Sequence, residues 1–415
     1  MTTILSRPKE KIKILLLEGI SDSAAAAFTA AGYTNVELQK KALNGEELRE
    51  ALDGVSMLGI RSRTQLTGEA LDNQRSVIAV GCFSVGTNQV DLWSARDFGI
   101  PVFNAPFSNT RSVAELTIAE IVMLFRGIFP KSAAAHRGDW QKSATGSHEV
   151  RGKTLGIIGY GNIGSQLAEL AEAMGMRVIF FDPTDKLNRG NVQPSETLNA
   201  MLAEADAVSI HVPETPQTRG MLGAAEFRAM KRGAFFINNA RGTVFDDEAL
   251  ASALKDGHLA GAAVDVFPVE PKAADEKFVS PLQGLDNVIL TPHIGGSTQE
   301  AQERIGSEVA RKLIEYSDVG STYGAVNFPQ VQLPQRPTGT RFIQMHRNLP
   351  GEINRLNEIF AHREINIAAQ FFQTDGNIGY VVLDADKPVE DARNVLKEIR
   401  ALEGTIRARV LYSRS

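Results

Sequence analysis

Three residues that each follow an apolar run have the side chains needed to take a proton from an alcohol: Arg241, Glu270 and His293. They stand in Asn238-Asn239-Ala240-Arg241-Gly242, in Asp265-Val266-Phe267-Pro268-Val269-Glu270-Pro271, and in Thr291-Pro292-His293-Ile294-Gly295-Gly296. An imidazole has the intrinsic pKa of a general base near neutrality. A carboxylate beside it raises that pKa and fixes its tautomer and ring orientation. An arginine holds a substrate carboxylate in a two-pronged contact that the point charge of lysine does not reproduce. Together they suit oxidation of a 2-hydroxy acid, in which a base removes the hydroxyl proton as hydride leaves C2. Singly, each has a plainer role: a turn histidine, a helix-capping arginine, a surface glutamate before proline.

A hydride needs an acceptor. The apolar segment Lys153–Ile158 runs into Gly159-Tyr160-Gly161-Asn162-Ile163-Gly164, then into the helical run SQLAELAEAMG, and a second strand, Arg177–Phe181, ends at Asp182. The first glycine permits the tight turn, the second lets backbone approach a pyrophosphate, and the third lets helix and strand pack closely. The anion then rests on the positive end of the helix. Asp182 stands where an acid accepts hydrogen bonds from the adenine ribose and repels a 2′-phosphate, which selects NAD over NADP. A lone glycine motif would say little. Here strand, glycines, helix, second strand and acid occur in order. No paired-cysteine or HExxH spacing accompanies them, so no metal site is expected.

The elements that must carry these residues alternate along the chain. Apolar strand patterns at Ile12–Leu17, Asn35–Leu38, Met57–Ile60 and Val77–Val80 are separated by helical ones at Ser21–Ala31 and Glu46–Leu52. Uninterrupted apolar strands between helices predict a parallel sheet covered on both faces. A helix is predicted over Thr110–Phe125, and a second alternating series runs from about Arg151 to Pro292. Ser297–Tyr316 predicts one long amphipathic helix capped by Ser297 or Thr298. The proline-rich stretch 328–339 marks a linker. Beyond it the order is strand, helix, strand, strand, helix, strand: Arg341–Met345, Pro350–His362, Asn366–Gln373, Ile378–Leu383, Val389–Leu402 and Thr405–Leu411. That is a ferredoxin-like arrangement.

At 415 residues the chain exceeds one core and predicts two or three domains. A net charge of −5 gives no general basic field, so nucleic acid is not an expected partner. The single cysteine, Cys82, rules out an internal disulfide framework and fits a reducing cytoplasm. The N-terminus lacks the apolar stretch of a signal peptide, and the most apolar helical candidate, Ala114–Phe125, carries Glu115 and Glu120 and is too short to span a bilayer. A soluble, cytoplasmic protein without membrane partners is expected.

With the segments GIRSRTQLT (59–67), GTNQVDL (86–92), FNAPFSNTRSVAELTIAEI (103–121), GIIGYGNIGSQLAE (156–169), GAAVDVFPVEP (261–271) and LTPHIGGSTQEAQERIG (290–306), the chain resembles the D-isomer-specific 2-hydroxyacid dehydrogenase family. The resemblance covers nearly the whole chain and is nearest to members that oxidise 3-phosphoglycerate and carry a C-terminal ACT domain. It implies an α/β architecture: a Rossmann-type doubly wound NAD domain (108–296) inserted in a flavodoxin-like substrate domain (1–107 and 297–330), a linker (331–339) and an ACT domain (340–415). The family's catalytic set falls on Arg241, Glu270 and His293. By resemblance, NAD contacts Gly159, Gly161, Asn162, Ile163, Gly164, Asp182, His211, Val212, Pro213, Asn239, Ala240, Arg241, Asp265, His293, Ile294, Gly295 and Gly296. Substrate contacts carry over to Arg61, Ser62, Asn109, Arg241 and Gln302. A phosphorylated acid is anionic at both ends, so Arg61 with Ser62 supplies a second anion-binding element, with Arg63, Lys40 or Lys142 as a further candidate cation.

The ACT domain implies L-serine as a feedback effector, bound between paired copies at His346, Asn348 and Asn366, and a homotetramer. The motif here reads HRNLPG: Arg347 and Leu349 depart from the serine-inhibited pattern, and Gly339 replaces a Gly-Gly pair as the nearest flexible point. The implied reaction is NAD-linked oxidation of 3-phospho-D-glycerate to 3-phosphooxypyruvate, at the head of L-serine biosynthesis, with reduction of 2-oxoglutarate to 2-hydroxyglutarate as a side activity. The same scaffold also serves glyoxylate or hydroxypyruvate reductases and NAD-sensing, corepressor-like proteins.

Overall fold

The computed structural model describes residues 8–187, 190–271, 276–334 and 339–411. It divides into two compact units, Met1–Ser108 with Gln302–Ser415, and Asn109–Ala301.

The first unit holds two sheets. Strands β1 (Lys13–Leu16), β2 (Val36–Leu38), β3 (Val55–Ile60), β4 (Ala79–Cys82) and β5 (Val102–Phe103) lie parallel in the order β2-β1-β3-β4-β5. β3 and β4 are buried along their whole length, as continuous apolar runs require when both faces are covered. This is the flavodoxin-like order. The long helix begins at Gln299 and reaches Val319, three residues past the expected end. The Thr298 hydroxyl accepts the Ala301 N–H at 3.2 Å, which decides between the two candidate caps. Its Val309, Leu313 and Tyr316 join the core of Ile14, Leu16 and Phe103. Gly81 permits that approach, since a Cβ there would lie 2.6 Å from Val309 Cγ1.

The second sheet of this unit comprises β13 (Arg341–Arg347), β14 (Ile367–Thr374), β15 (Ile378–Ala385) and β16 (Thr405–Leu411). It is antiparallel in the order β14-β15-β13-β16, with helices Glu352–His362 and Ala392–Ala401 completing the expected ferredoxin-like order. Side chains alternate along β13. Phe342 packs with Leu356, Phe360 and Val395, whereas Ile343 and Met345 enter the core that contains Phe103, Tyr316 and Phe328. The buried Arg341 guanidinium is satisfied by a two-pronged contact with Asp384 at 2.6 Å and by the Val319 carbonyl at 2.8 Å. The proline-rich stretch forms no helix or strand among its described residues, yet it is not a free spacer. Phe328, Val331 and Leu333 are buried, and the Val331 N–H donates to Thr322 Oγ1 at 2.9 Å. The apolar residues between its prolines anchor it. Residues 335–338 of the expected linker lie outside the described residues.

The second unit is built on β6 (Thr154–Ile158), β7 (Arg177–Phe181), β8 (Gln193–Pro194), β9 (Ala207–Ile210), β10 (Phe235–Asn238), β11 (Gly261–Val264) and β12 (Val288–Leu290). All pairs are parallel, in the order β12-β11-β10-β9-β6-β7-β8. Counted within the unit this is the Rossmann order extended by one strand, and it reverses between β6 and β9. Ligands bind such sheets outside the carboxyl ends of the strands at that reversal. The helix Thr110–Arg126 packs Ala114, Ile121 and Phe125 into the core and stops at Gly127, whose φ of +58° ends it. Among the described residues no helix is long and apolar enough to cross a membrane.

Candidate active site

The turn after β6 has the shape that a dinucleotide needs. Gly159 has φ +90°, and a Cβ there would lie 2.9 Å from Val212 Cγ1 and 3.0 Å from the His211 carbonyl. A Cβ on Gly164 would lie 2.4 Å from the Gly159 oxygen, so only glycine lets the helix Asn162–Ala173 start so close to the strand. A Cβ on Gly161 would meet nothing within 4 Å. Gly161 caps that helix with no side-chain hydrogen bond, so its first-turn amides are left for an external anion. Asp182 is held in place at the end of β7: Oδ2 accepts the Tyr160 N–H at 3.0 Å, and Oδ1 accepts the Thr184 N–H at 3.0 Å. His211 follows β9 beside Gly159, with Nε2 2.9 Å from Ser209 Oγ, and burial pushes its imidazole down to about 4, so it is neutral. Open space at Gly161, uncapped amides and a fixed acid fit a dinucleotide held by its pyrophosphate and adenine ribose.

The proposed acid–base set is assembled at the ends of β10, β11 and β12. His293 Nδ1 lies 2.8 Å from Glu270 Oε2, so the ring nitrogen facing the carboxylate carries its proton and Nε2 is left to accept another. The imidazole is half exposed. The hydrogen bond to Glu270 raises the His293 pKa against the opposing effect of burial, with the charges of Glu270 and Asp265 adding to the rise. Burial by itself would raise the Glu270 carboxyl, but the His293 hydrogen bond and charge, the Phe267 N–H and Arg241 hold it below its ordinary value. His293 has φ +55°, a conformation that costs a non-glycine residue and that surroundings must impose.

Asp265 imposes it. Its backbone carbonyl accepts the His293 N–H at 2.8 Å. Its buried carboxylate accepts the Thr291 hydroxyl at 2.6 Å and the Ile294 and Gly295 N–H groups at 2.8 Å. Arg241 is fixed by a different device. Asn238 donates through Nδ2 to the Arg241 carbonyl and accepts the Ala240 N–H, both at 3.0 Å. Gly242 lets the two loops touch, since a Cβ there would lie 2.0 Å from the Phe267 carbonyl. Burial lowers the Arg241 pKa against the pull of Glu214 and Glu270. Asn239 faces away from the ligand side: its Nδ2 donates to Thr117 Oγ1 at 3.0 Å and to Glu120 Oε2 at 2.7 Å. Only its backbone remains for a cofactor.

Of the expected substrate residues, Asn109 and Arg241 lie in this unit, with Asn109 Nδ2 2.5 Å from where a Cβ on Gly296 would stand. Arg61, Ser62 and Gln302 belong to the first unit. The effector residues are not brought together within one chain. His346, one residue before the end of β13, pairs with Gly379, whereas Asn366 precedes β14, whose Ile367 pairs with Ala385 at the far end of β15. Six strand residues separate Gly379 from Ala385, roughly 20 Å. His346 is buried, with Nε2 lacking a partner and its ring stacked on Phe372 at 6.0 Å; Asn366 donates to Asp386 at 3.1 Å. Sequence reasoning passed over Glu120, Thr117, Asn238 and Thr291. Glu120 had a signal: it falls at the i+7 position from Val113 on the apolar face of its helix.

Residues 118–295 match the NAD binding domain of the D-isomer specific 2-hydroxyacid dehydrogenases, and residues 342–407 match the AHAS small subunit-like ACT domain. The chain is 56% identical to D-3-phosphoglycerate dehydrogenase of Haemophilus influenzae over 99% of this chain and 100% of that one. The chain belongs to the D-3-phosphoglycerate dehydrogenase family. The Escherichia coli K12 member is 54% identical, with 98% and 99% covered. A D-lactate dehydrogenase from Aquifex aeolicus, solved with NAD and lactic acid, is 27% identical with a TM-score of 0.64, over 74% of this chain and 95% of that one. As a member of this family the chain is an NAD-dependent oxidoreductase, and the cradle at Gly159–Gly164 with Asp182 is where its own residues fit the cofactor.

Proposed function

We propose that the chain oxidises 3-phospho-D-glycerate to 3-phosphooxypyruvate with NAD, the opening step of L-serine biosynthesis. The observation that carries this reading is the 2.8 Å His293–Glu270 pair beside Arg241 in the NAD-binding unit of a chain 56% identical to a D-3-phosphoglycerate dehydrogenase. NAD bound in the cradle supplies the acceptor for the hydride from C2. His293 Nε2 takes the C2 hydroxyl proton, and the imidazolium so formed is stabilised by Glu270. Arg241 holds the substrate carboxylate and polarises the C2 oxygen, and Asn109 is a further substrate contact. Arg61 and Ser62 bind the phosphate, and Gln302 is a further substrate contact. Residues 1–107 and 297–330 are the substrate domain, 108–296 the NAD domain and 340–415 the regulatory domain.

The ACT domain serves an amino-acid effector, L-serine, at His346 and Asn348 of one copy and Asn366 of a second. Their placement at opposite ends of one sheet supports a site shared between copies, and hence a homo-oligomer, a tetramer if the nucleotide units pair too. The cytoplasm is the proposed location, and reduction of 2-oxoglutarate a side activity. Initial rates with NAD and 3-phosphoglycerate, D-glycerate or D-lactate, each with and without serine, test the reading. It requires 3-phosphoglycerate to give the highest kcat/KM. A preference for an unphosphorylated acid would make the chain a different 2-hydroxyacid dehydrogenase.

A further inference from the structure

Immediately after β1, Glu18 has φ +62° and is almost completely buried, although it is a carboxylate at the open end of a sheet. Buried carboxylates need donors, and Glu18 has three from one loop. Oε1 accepts the N–H groups of Arg61 at 3.0 Å and Thr64 at 2.9 Å, and Oε2 accepts the N–H of Arg63 at 2.9 Å. The Arg63 guanidinium lies 3.7 Å from Oε2. The loop is fixed from its other side by Gln89, whose Nε2 donates to the Arg61 carbonyl at 2.5 Å and to Ser84 Oγ at 3.2 Å. Segments following β1, β3 and β4 therefore converge on four residues, at the strand ends where open sheets of this kind bind ligands.

Converging backbone N–H groups make a concavity that binds anions. At Arg61–Thr64 that concavity is already filled by a side chain of the same molecule. Those amides cannot then be lent to a substrate phosphate, and Ser62 and Arg63 are left exposed with Arg61 half-buried. We propose that Glu18 is a positioning residue for phosphate recognition: by filling the ring of amides it sets the loop so that the Arg61 and Ser62 side chains meet the substrate anion. This rests on the reading of Arg61 as the phosphate-binding element. A carboxylate so near an anion site would repel the substrate if it were free. Here it is engaged by three amides and an arginine, and the loop it holds presents cations.

The consequence is selective. Loosening the loop weakens recognition of the phosphate and leaves the carboxylate grip of Arg241 and the proton transfer of His293 as they were. The test uses the full-length enzyme with NADH, comparing reduction of 3-phosphooxypyruvate with reduction of hydroxypyruvate for wild type, Glu18→Gln, Glu18→Gly and Arg61→Ala. Glycine tolerates the left-handed backbone at 18. Glutamine keeps one acceptor oxygen but turns an NH₂ group toward a backbone donor. Glu18→Gly raises KM for 3-phosphooxypyruvate at least about tenfold, the scale of losing one charge-assisted hydrogen bond. Glu18→Gln gives an intermediate rise; KM for hydroxypyruvate and the Kd for NADH hold within about twofold, and Arg61→Ala raises the phosphorylated KM furthest. Should Glu18→Gly fail to fold, Glu18→Gln decides in the same way. If both Glu18 variants keep the wild-type KM while Arg61→Ala raises it, Glu18 does not position the loop and the phosphate reading stands. An equal rise for both substrates reduces Glu18 to a general structural role and overturns the proposal. If Arg61→Ala leaves KM unchanged, the phosphate reading itself fails.

Discussion

The proposed catalytic edge of the seven-stranded sheet and the proposed effector ends of the four-stranded sheet each carry a trio of polar residues, and the fold treats the two trios in opposite ways. Arg241, Glu270 and His293 come from neighbouring parallel strands, so their ends lie side by side and a 2.8 Å hydrogen bond forms within one chain. β13 and β14 both run antiparallel to β15 and so run parallel to each other, but His346 and Asn348 stand at the end of β13 whereas Asn366 stands at the start of β14. The first trio gathers because all three residues follow the ends of parallel strands, whereas the second mixes a strand end with a strand start and so falls on two edges. The acid–base pair is thus complete in one subunit. A regulatory site built from the second trio needs two.

The largest effect that sharpens this contrast comes from His293. His293→Asn lowers kcat for 3-phosphoglycerate oxidation by about 10²–10⁴-fold, while the Kd for NAD, read by fluorescence titration, is retained. Loss of NAD binding, or a rate within tenfold of wild type, would remove His293 from its role. Next comes a mixing experiment on the effector side. His346→Ala and Asn366→Ala each abolish the serine response while leaving uninhibited kcat within about twofold, because neither lies in the unit that carries the proton transfer. Co-assembly of the two variants restores part of the inhibition, since in each mixed pair one of the two shared sites keeps both wild-type contributions. A chain that carried a whole site by itself would give no restoration.

The smallest effect concerns the foot of the catalytic loop. Glu120 has no exposed surface, its Oε1 lacks a partner, and burial pushes its carboxyl up to about 7, with the Asn239 hydrogen bond opposing and the Asp265 charge adding. Its value when folded lies above the ordinary 4.5, so the folded state keeps a proton that the unfolded chain releases. The stability linked to that proton is full below pH 4.5 and is lost as pH rises toward 7. The slope amounts to on the order of 3 kcal/mol across the window. Glu120→Gln removes it. Urea melts of both proteins from pH 4.5 to 8 check this, and parallel curves would place the titration elsewhere.

Much of this was legible in the residues because their patterns are local. The Gly159–Gly164 turn, Asp182 and the apolar strands follow from periodicity and glycine placement, and their ends fell within two or three residues of those found. Glu18 was not legible, and Glu120 only as an acid on the apolar face of its helix. Each is a charged residue whose partners lie far along the chain: Glu18 meets Arg61–Thr64, and Glu120 meets Asn239. A sequence displays a buried carboxylate only as a charge out of step with its neighbours. Asp265, expected at the cofactor, also holds the His293 loop through four hydrogen bonds, and that geometry exists only once β11 and β12 are paired. The proline-rich stretch misled in the opposite sense, since composition marks an absence of helix and strand but not whether the apolar residues between prolines are buried.

The central claim is that Glu270 raises and orients His293 as the base. The pH dependence of kcat/KM for 3-phosphoglycerate oxidation, measured for wild type and Glu270→Gln, tests it most directly. In oxidation the base must be neutral, so activity climbs as pH passes the raised His293 pKa. Neutral glutamine removes the carboxylate that lifts it, and the account predicts that the acid limb moves to lower pH, with a reduced plateau. An inflection that stays where it is in the variant would mean that a different group carries the proton.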